Sequence, residues 1–374
     1  SRTANPAIVR NSTVFFKSVQ ELLKHEELVK KYAKVDFYEY GRAGSQTTIA
    51  LQNFIAELEC AYSTFLTSTG FGAVSLAIIS ICRPGDEILV TDAVYAPTRM
   101  LTSKLLKEFN IKVGFYNPED LKNLKNKINK KTKMIFVENP GSNTFEFQDL
   151  AEIIKLAKKR RIITAIDNTW GTPFFLKPLK LGFDMSISSG TKYFSGHSDV
   201  MLGSLSVNKK VYDKVKLCNK LLGHRASPDD AYLVLRGLRT LDVRLKKHEE
   251  STKIVINFLK KEKKIKEVLY PHYKGTKNYI NWKKYYTGAS GLFSVVISSK
   301  NRNSVYNFIN SLKLFGIGQS WGGFESLVLY QNHVIQRVYK KYVKQHHHIV
   351  RFHIGLEDPK DLILDLKKGL KKIK

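Results

Sequence analysis

The sequence predicts an α/β protein, with a mostly parallel, doubly wound sheet in the larger part of the chain and a smaller α+β part after it. Segments with helical and strand-type patterns alternate from about residue 47 to residue 207. The connections between them are short, which is typical of a parallel sheet covered by helices on both faces. The chain has 374 residues, of which 43% are hydrophobic, and this is enough to bury one large core and part of a second.

Residues 1–45 are predicted to form an arm rather than a domain. They contain one candidate amphipathic helix, near Val14 to Lys31, and then an aromatic run from Phe37 to Tyr40. Such a segment has little apolar surface to bury by itself. We therefore divide the chain into the arm, a sheet-bearing domain over 46–238 and a C-terminal domain over 239–374.

The elements follow from the spacing of apolar residues. Helical spacing predicts helices over Ile49 to Cys60, Gly72 to Ile81, Pro97 to Phe109 and Asp149 to Arg160. Short continuous apolar runs predict buried strands at Glu87 to Thr91, Lys112 to Tyr116, Lys133 to Glu138, Ile162 to Asp167, Phe183 to Ser188 and Gly203 to Val207. A helix-rich bridge near Asp230 to Leu259 leads to a smaller sheet, with predicted strands at Gly291 to Ser298 and Arg351 to Ile354.

The formal charge of +29 would suit a nucleic-acid partner. The lysines are spread over helix-like segments throughout the chain, however, and a nucleic-acid-binding protein usually concentrates its charge on one face. We therefore predict no nucleic-acid partner. No apolar run reaches membrane-spanning length and the amino terminus lacks a signal-peptide pattern, so a cytoplasmic protein without membrane contact is expected.

Cysteine and histidine spacing favours neither disulfides nor metal binding. Cys60, Cys82 and Cys218 lie far apart, with no C-x-x-C pair. The run His346 to His348 suggests a metal at first sight, but consecutive residues on a strand point to opposite faces. We interpret this run as a polar approach to the strand at Val350 and predict no metal site.

The segment from Asp184 to Gly203 contains an unusual lysine. Lys192 follows an apolar run that would end a strand, and small and hydroxyl residues precede it. Burial in such a pocket would lower the pKa of Lys192 toward the neutral amine, which attacks carbonyl groups and can form a Schiff base with an aldehyde cofactor. The hydroxyls of Ser189 and Thr191 would then hold a phosphate on that cofactor. The alternative is a surface lysine in a polar loop.

An acid at a strand end supports the cofactor interpretation. Asp167 closes the predicted strand from Ile162, where ligands bind in open α/β sheets. There it could keep a pyridine nitrogen protonated, as pyridoxal phosphate requires. The alternative is a turn or cap residue, since Asn168 and Thr169 follow.

Two further segments add weaker support. The small residues of TSTGFGAVS, from Thr67 to Ser75, open a helix whose free backbone N–H groups near Gly70 and Phe71 suit a phosphate, although the third glycine of a dinucleotide-binding fingerprint is missing. Tyr95 follows another predicted strand. It could stack on a flat cofactor ring or be an ordinary packed tyrosine.

Several segments together resemble the pyridoxal-phosphate enzymes of cysteine and methionine metabolism. The resemblance covers nearly the whole chain in the expected order, and it implies a fold of the aspartate aminotransferase type (fold type I) with pyridoxal 5'-phosphate bound in the 46–238 domain. The segments are YGRAGSQT from Tyr40, DAVYAPT from Asp92, AIDNTW from Ala165, SSGTKYFSGHSDVMLG from Ser188 and SWGGFESL from Ser320.

The resemblance implies roles for cofactor-binding residues. Lys192 would carry the cofactor and remove the substrate α-proton. Asp167 would face the ring nitrogen, Tyr95 would stack on the ring and assist proton transfer, and Asn139 would lie against the ring. Tyr40 and Arg42 would reach the cofactor phosphate of a neighbouring subunit, which implies a homotetramer built from two dimers that share sites.

The resemblance also implies the substrate site. Arg351, in the segment RFHIGLED, would grip the substrate α-carboxylate by two parallel bonds, and an ordinary surface arginine is the alternative. Ser320 would help to orient the carboxylate, and Trp321 would wall the pocket.

Within the family, Ser320-Trp321 and residues 353–358 resemble the members that catalyse β-elimination more than those that catalyse γ-reactions. The implied reaction converts L-cystathionine into homocysteine, pyruvate and ammonia, for methionine biosynthesis. A broader activity remains open: a cysteine desulfhydrase acting on L-cysteine, a γ-lyase, or a lyase that also racemises alanine. A non-catalytic basic protein on the same fold is the third alternative.

Overall fold

The computed structural model describes residues 4–31, 38–271, 277–332, 336–339 and 346–373. Within them a large sheet takes the order β1-β7-β6-β5-β4-β2-β3. Only β7 runs against its neighbours, and the pairs β2-β3, β2-β4, β4-β5 and β5-β6 are parallel. The strands are β1 (Ser63–Thr67), β2 (Glu87–Thr91), β3 (Lys112–Tyr116), β4 (Thr132–Glu138), β5 (Ile163–Asp167), β6 (Met185–Ser189) and β7 (Gly203–Val207).

A smaller sheet lies in the C-terminal part, in the order β10-β11-β12-β9-β8. Its pairs are antiparallel except β10-β11. The strands are β8 (Ile265–Leu269), β9 (Leu292–Ser298), β10 (Gly316–Ile317), β11 (Leu327–Tyr330) and β12 (His347–His353).

Helices connect and cover the strands. A π-helical turn, Leu101–Leu105, interrupts the single helix predicted over Pro97 to Phe109. The helices are α1 (Val19–Lys31), α2 (Gln46–Leu58), α3 (Gly70–Ile81), α4 (Ala96–Met100), α5 (Leu106–Glu108), α6 (Leu121–Lys127), α7 (Leu150–Arg160), α8 (Thr172–Phe175), α9 (Pro178–Leu181), α10 (Lys209–Leu222), α11 (Pro228–Leu238), α12 (Leu241–Leu259), α13 (Lys277–Tyr285), α14 (Arg302–Ser311) and α15 (Pro359–Leu370).

Helix starts follow local capping rules. The side chain of Ser45 accepts a hydrogen bond from the Thr48 N–H at the start of α2, and that of Thr69 accepts one from the Gly72 N–H at the start of α3. Each cap satisfies a backbone donor that lacks an intrahelical partner. These caps fix the first turns of α2 and α3.

Two clusters of buried side chains hold the fold together. One fills the face of the large sheet that α3 and α10 cover. The other lies on the opposite face and continues into the C-terminal part, where the Trp170 indole donates to the Leu292 carbonyl oxygen at 3.0 Å. The predicted boundary at 238/239 falls between α11 and α12, and the division into domains stays a prediction.

Several elements were not predicted from the sequence, namely the strands β1, β8, β10 and β11 and the helices α6, α8, α9, α10, α13, α14 and α15. The strand near Val350 begins earlier than predicted, so His347 and His348 lie within β12 rather than before it. Among the described residues no group of three or more His, Cys, Asp or Glu side chains is placed to bind a metal ion. In the same part of the chain, no helix combines the length and apolar character needed to cross a bilayer.

Candidate active site

A cavity of about 370 Å³ lies at the carboxyl edge of the large sheet, against the C-terminal part. We call it the reaction cavity. It is lined by most of the residues singled out in the sequence, namely Gly70, Phe71, Tyr95, Asp167, Ser189, Thr191, Lys192, Ser320, Trp321 and Arg351. Segments far apart in the sequence therefore meet at one place.

Lys192 lies in the turn after β6. Its Nζ donates to Ser320 Oγ at 2.9 Å and is 5.5 Å from the centre of the Trp321 ring. Burial, and then the positive charge of Arg351, lower the pKa of Lys192 to about 8, while Asp167 raises it. A substantial fraction of this lysine is therefore neutral near pH 8, as a nucleophile or proton acceptor requires.

A glycine brings Ser320 and Trp321 to Lys192. Gly322 has a φ of +87°, and a Cβ built there would stand 2.9 Å from the Tyr193 nitrogen. Only glycine combines this left-handed backbone with so close an approach. The turn therefore packs on the backbone of Lys192 and places Ser320 beside the lysine nitrogen.

Asp167 closes β5, as predicted. Its Oδ1 accepts from the Thr169 N–H at 3.0 Å and from the Thr169 hydroxyl at 2.6 Å. Burial raises the pKa of Asp167, whereas the two bonds from Thr169 and the charge of Lys192 lower it. Since both bonds are made by Oδ1, Oδ2 can accept a further bond from a protonated ring nitrogen.

The start of α3 and the end of β6 form a tight cradle. A Cβ at Gly70 would stand 2.4 Å from Ser189 Oγ, so a larger residue would fill this space. The first-turn amides of Gly70 and Phe71 precede the first intrahelical bond, from the Ala73 N–H to the Thr69 carbonyl. Backbone donors and a hydroxyl at a helix N-terminus suit a phosphate group.

Tyr95 lies directly before α4 and the residue is 48% exposed. Its backbone N–H donates to Glu138 Oε2 at 2.7 Å. Burial and the charge of Glu138 raise the pKa of the Tyr95 phenol, and Arg351 lowers it. The phenol is therefore protonated at neutral pH and can act as a proton donor.

Arg351 reaches the cavity from β12. Its guanidinium donates to the carbonyl oxygens of Gln319 at 3.3 Å and Ser320 at 3.4 Å, and to Asn143 Oδ1 at 3.5 Å. Burial lowers the pKa of Arg351 to about 10, so it is charged at neutral pH. A half-buried guanidinium with only long bonds to neutral groups suits a carboxylate ligand.

Three predicted residues are not brought to the reaction cavity. The Asn139 side chain is buried behind its wall, where its amide donates to the Tyr286 hydroxyl at 2.9 Å and its Oδ1 accepts from the Gln148 N–H at 2.7 Å. Tyr40 and Arg42 line a different cavity of about 340 Å³. We call this second space the arm cavity.

Sequence reasoning also missed cavity residues, chiefly Glu138, Asn143 and Trp170. A signal for Glu138 was present, because it ends a predicted strand as Asp167 does. Asn143 carried none. It adopts a left-handed backbone, with a φ of 64°, in a loop that only the folded chain turns toward Arg351.

The sequence model of the family described as "Cys/Met metabolism PLP-dependent enzyme" matches residues 1–371. The chain belongs to this family. Its cofactor is therefore pyridoxal 5'-phosphate, and the lysine, the buried acid and the glycine-lined cradle fit that molecule. The resemblance seen in the sequence is confirmed.

Individual relatives cover nearly the full chain. A cystathionine beta-lyase of Bordetella avium is 36% identical over 97% of this chain and 90% of its own length. An L-alanine/L-glutamate racemase of Wolbachia pipientis wMel is 33% identical over 99% of this chain and 93% of its own. The crystal structure of a cystathionine gamma synthase from Xanthomonas oryzae pv. oryzae in complex with cystathionine superimposes with a TM-score of 0.89, at 28% identity, over 99% of this chain and 93% of that one. The predicted fold class is thereby confirmed.

Proposed function

We propose that this protein is a carbon–sulfur lyase that converts L-cystathionine into homocysteine, pyruvate and ammonia, in methionine biosynthesis. One observation carries the proposal. The lysine amine and the arginine guanidinium converge on one loop, since Lys192 Nζ bonds to Ser320 Oγ at 2.9 Å while Arg351 bonds to the backbone of Gln319 and Ser320. The loop of Gln319 and Ser320 thus positions both a proton acceptor, Lys192, and a group that can bind a carboxylate, Arg351.

The chain's own residues divide the work. Pyridoxal phosphate, when bound, supplies an electron-withdrawing ring next to the substrate α-carbon. Asp167 would hold the ring nitrogen protonated, and the cradle of Gly70, Phe71, Ser189 and Thr191 would bind the phosphate. Lys192 would hold the cofactor, and its amine would accept the proton from the substrate Cα.

Substrate contacts set the geometry of that proton transfer. Arg351 binds the α-carboxylate, which fixes Cα relative to Lys192 Nζ. Ser320 assists by holding the lysine amine at 2.9 Å, and Trp321 walls the cavity. Tyr95 is the proton donor assigned to the departing thiolate, because its phenol is protonated and lines the same cavity.

The decisive test is a combined spectrum and assay. The purified protein should absorb in the visible range, and adding L-cystathionine should release pyruvate and free thiol in equal amounts. A yellow protein that forms no pyruvate would refute the lyase while leaving the cofactor in place. A colourless protein that pyridoxal phosphate cannot restore would refute both.

A second candidate activity is alanine racemisation. The similarity to the Wolbachia racemase favours it, and so does the presence of both Lys192 and Tyr95 in one cavity. Racemisation requires that Cα be reprotonated from the face opposite the one deprotonated, which two proton carriers can provide. Incubation with L-alanine and measurement of D-alanine tests this, and no D-alanine would dispose of it.

We further propose a homotetramer of two dimers, in which Tyr40 and Arg42 of one subunit reach the cofactor phosphate of another. The support is their position in the arm cavity, away from Lys192 of the same chain. We do not propose that Asn139 contacts the cofactor ring, because its side chain bonds to Tyr286 and Gln148 outside the reaction cavity.

A further inference from the structure

Two acidic side chains stand next to each other at the floor of the reaction cavity. Glu138 ends β4 and Asp167 ends β5, and the two residues are register partners in this parallel pair. Parallel neighbours lie about 4.8 Å apart and direct paired side chains to the same face. Both residues line the cavity, yet the proposed chemistry uses only Asp167.

Glu138 has a partner of its own. Its Oε2 accepts from the Tyr95 N–H at 2.7 Å, which is a short bond for a backbone donor. Tyr95 stands in the N-cap position of α4 and no side chain caps that helix. The Glu138 carboxyl therefore ties the end of the β2-α4 loop to the end of β4.

Other hydrogen bonds fix earlier parts of the same loop. The Asp92 N–H donates to the Tyr116 carbonyl at 2.9 Å, and the Ala93 carbonyl accepts from the Ser142 N–H at 2.7 Å. Both bonds hold the loop near the sheet, but neither reaches Tyr95. The Tyr95 carbonyl accepts from the Arg99 N–H at 3.0 Å within the first turn of α4, and the Tyr95 N–H bonds to Glu138, which joins this residue to β4.

Either protonation state of Glu138 can make this bond. Burial and the neighbouring charge of Asp167 raise the pKa of Glu138 well above its usual value. A neutral carboxyl still has an oxygen that accepts from an N–H group, and so does the amide of glutamine. Glutamine is therefore a close substitute for the carboxyl at this position.

We propose that Glu138 is a positioning residue that holds the backbone of Tyr95 so that its phenol stands over the reacting carbons. This inference rests on the proposed function only in giving Tyr95 a part in proton transfer. Glu138 itself touches neither cofactor nor substrate in this role, so that its effect passes through Tyr95.

The experiment compares Glu138→Gln, Glu138→Ala, Tyr95→Phe and the double variant Glu138→Ala/Tyr95→Phe as holoenzymes. Two rates are measured: pyruvate release from L-cystathionine, and exchange of the L-alanine α-proton in deuterated water. The second rate needs no lyase activity. Asp365→Ala is the matched control, because Asp365 also accepts backbone N–H bonds, from Lys313 and Leu314, outside the cavity.

The expected pattern separates positioning from folding. Glu138→Ala should lower kcat about tenfold or more with KM changed less than about twofold, since a hydrogen bond to the Tyr95 backbone is lost while Arg351 still binds the carboxylate. Glu138→Gln should restore kcat to within about threefold of the unchanged protein, because its amide oxygen accepts the same bond. Asp365→Ala should lower Tm without lowering kcat.

The double variant tests the route through Tyr95. If Glu138 acts through that residue, the loss in the double variant should be close to that of Tyr95→Phe alone. Independent, multiplying losses would overturn the proposal, and so would an unchanged kcat in Glu138→Ala. A protein that exchanges the α-proton without forming pyruvate would refute the lyase activity, and the role of Glu138 would then be decided by the exchange rates of the variants. A protein that neither exchanges the proton nor forms pyruvate would overturn both the proposed function and the role of Glu138.

Discussion

The reaction cavity and the arm cavity are similar in volume, at about 370 and 340 Å³, but differ in what lines them. The reaction cavity combines a lysine of lowered pKa, two half-buried acids of raised pKa and an arginine. The charged side chains that border the arm cavity are mostly basic, namely Arg42, Lys216, Lys220 and Arg225, with Glu39 as the acidic one. Proton transfer needs donors and acceptors at defined places, whereas an excess of positive charge suits the binding of an anion.

This difference indicates which parts of the proposed active site a single chain provides. The ring and carboxylate ends of the proposed site are assembled within a single chain, because Lys192, Asp167 and Arg351 line one cavity. Tyr40 and Arg42 are not part of it. If they do bind a cofactor phosphate, they bind that of another subunit, and the four predictions below test this contrast.

The largest effect is expected for Lys192→Ala. Loss of the amine removes both cofactor attachment and the proton acceptor, so turnover should fall at least about 10³-fold. Steady-state assay of pyruvate release measures it, with Lys155→Ala, an exposed lysine on α7, as the control. Full activity in Lys192→Ala would contradict the assignment of the reaction cavity.

The second prediction joins the two cavities. Arg42→Ala should bind the cofactor more weakly and lose most activity at limiting pyridoxal phosphate, because a bidentate phosphate partner is removed. Mixing Arg42→Ala with Lys192→Ala, after subunit exchange, should restore up to about a quarter of the unchanged activity, since half of the mixed dimers' sites are intact.

If the mixture is only as active as the two variants assayed separately, Arg42 does not contribute to a site shared between subunits. Gel filtration of each variant provides the control that the assembly itself has not changed.

A smaller effect is expected for Arg351→Ala. The guanidinium binds the carboxylate in the ground and transition states alike, so KM should rise roughly tenfold to a hundredfold while kcat changes much less. Initial rates over a range of L-cystathionine concentrations measure both constants. An unchanged KM would mean that the carboxylate is held elsewhere.

The smallest effect is on the stability of the cofactor-free protein. The pKa of Lys192 is lowered from 10.5 to about 8, so between these pH values the unfolded chain binds a proton that the folded chain does not. Stability should therefore rise with pH across this window, by at most about 3 kcal/mol from this group.

Urea unfolding at pH 8 and pH 10 measures this change in the free energy of unfolding. The rise should be smaller in Lys192→Ala, since the titrating group is gone. An equal rise in the two proteins would show that folding does not lower the pKa of Lys192.

Much of the site was predictable because its signals are local. Lys192 and Asp167 stand at the ends of apolar runs, and Gly70 opens a helix of small residues. The strands of the large sheet were found for the same reason, with β2, β3 and β7 at their predicted bounds. β1 was missed because its sequence, STFLT, is rich in hydroxyls, and the partner that satisfies Thr64 is Ser206, at 2.8 Å across the sheet.

The sequence by itself determined the α/β class and the ends of several strands, and it singled out Lys192 as the candidate reactive lysine, since these depend on neighbours along the chain. Only the tertiary structure decided which side chains meet. It set Ser320 beside Lys192 and Glu138 under Tyr95, and it turned Asn139 away from the cavity. Such contacts join residues 43 to 147 positions apart, and no local pattern encodes them, because they depend on how the sheets and their loops pack.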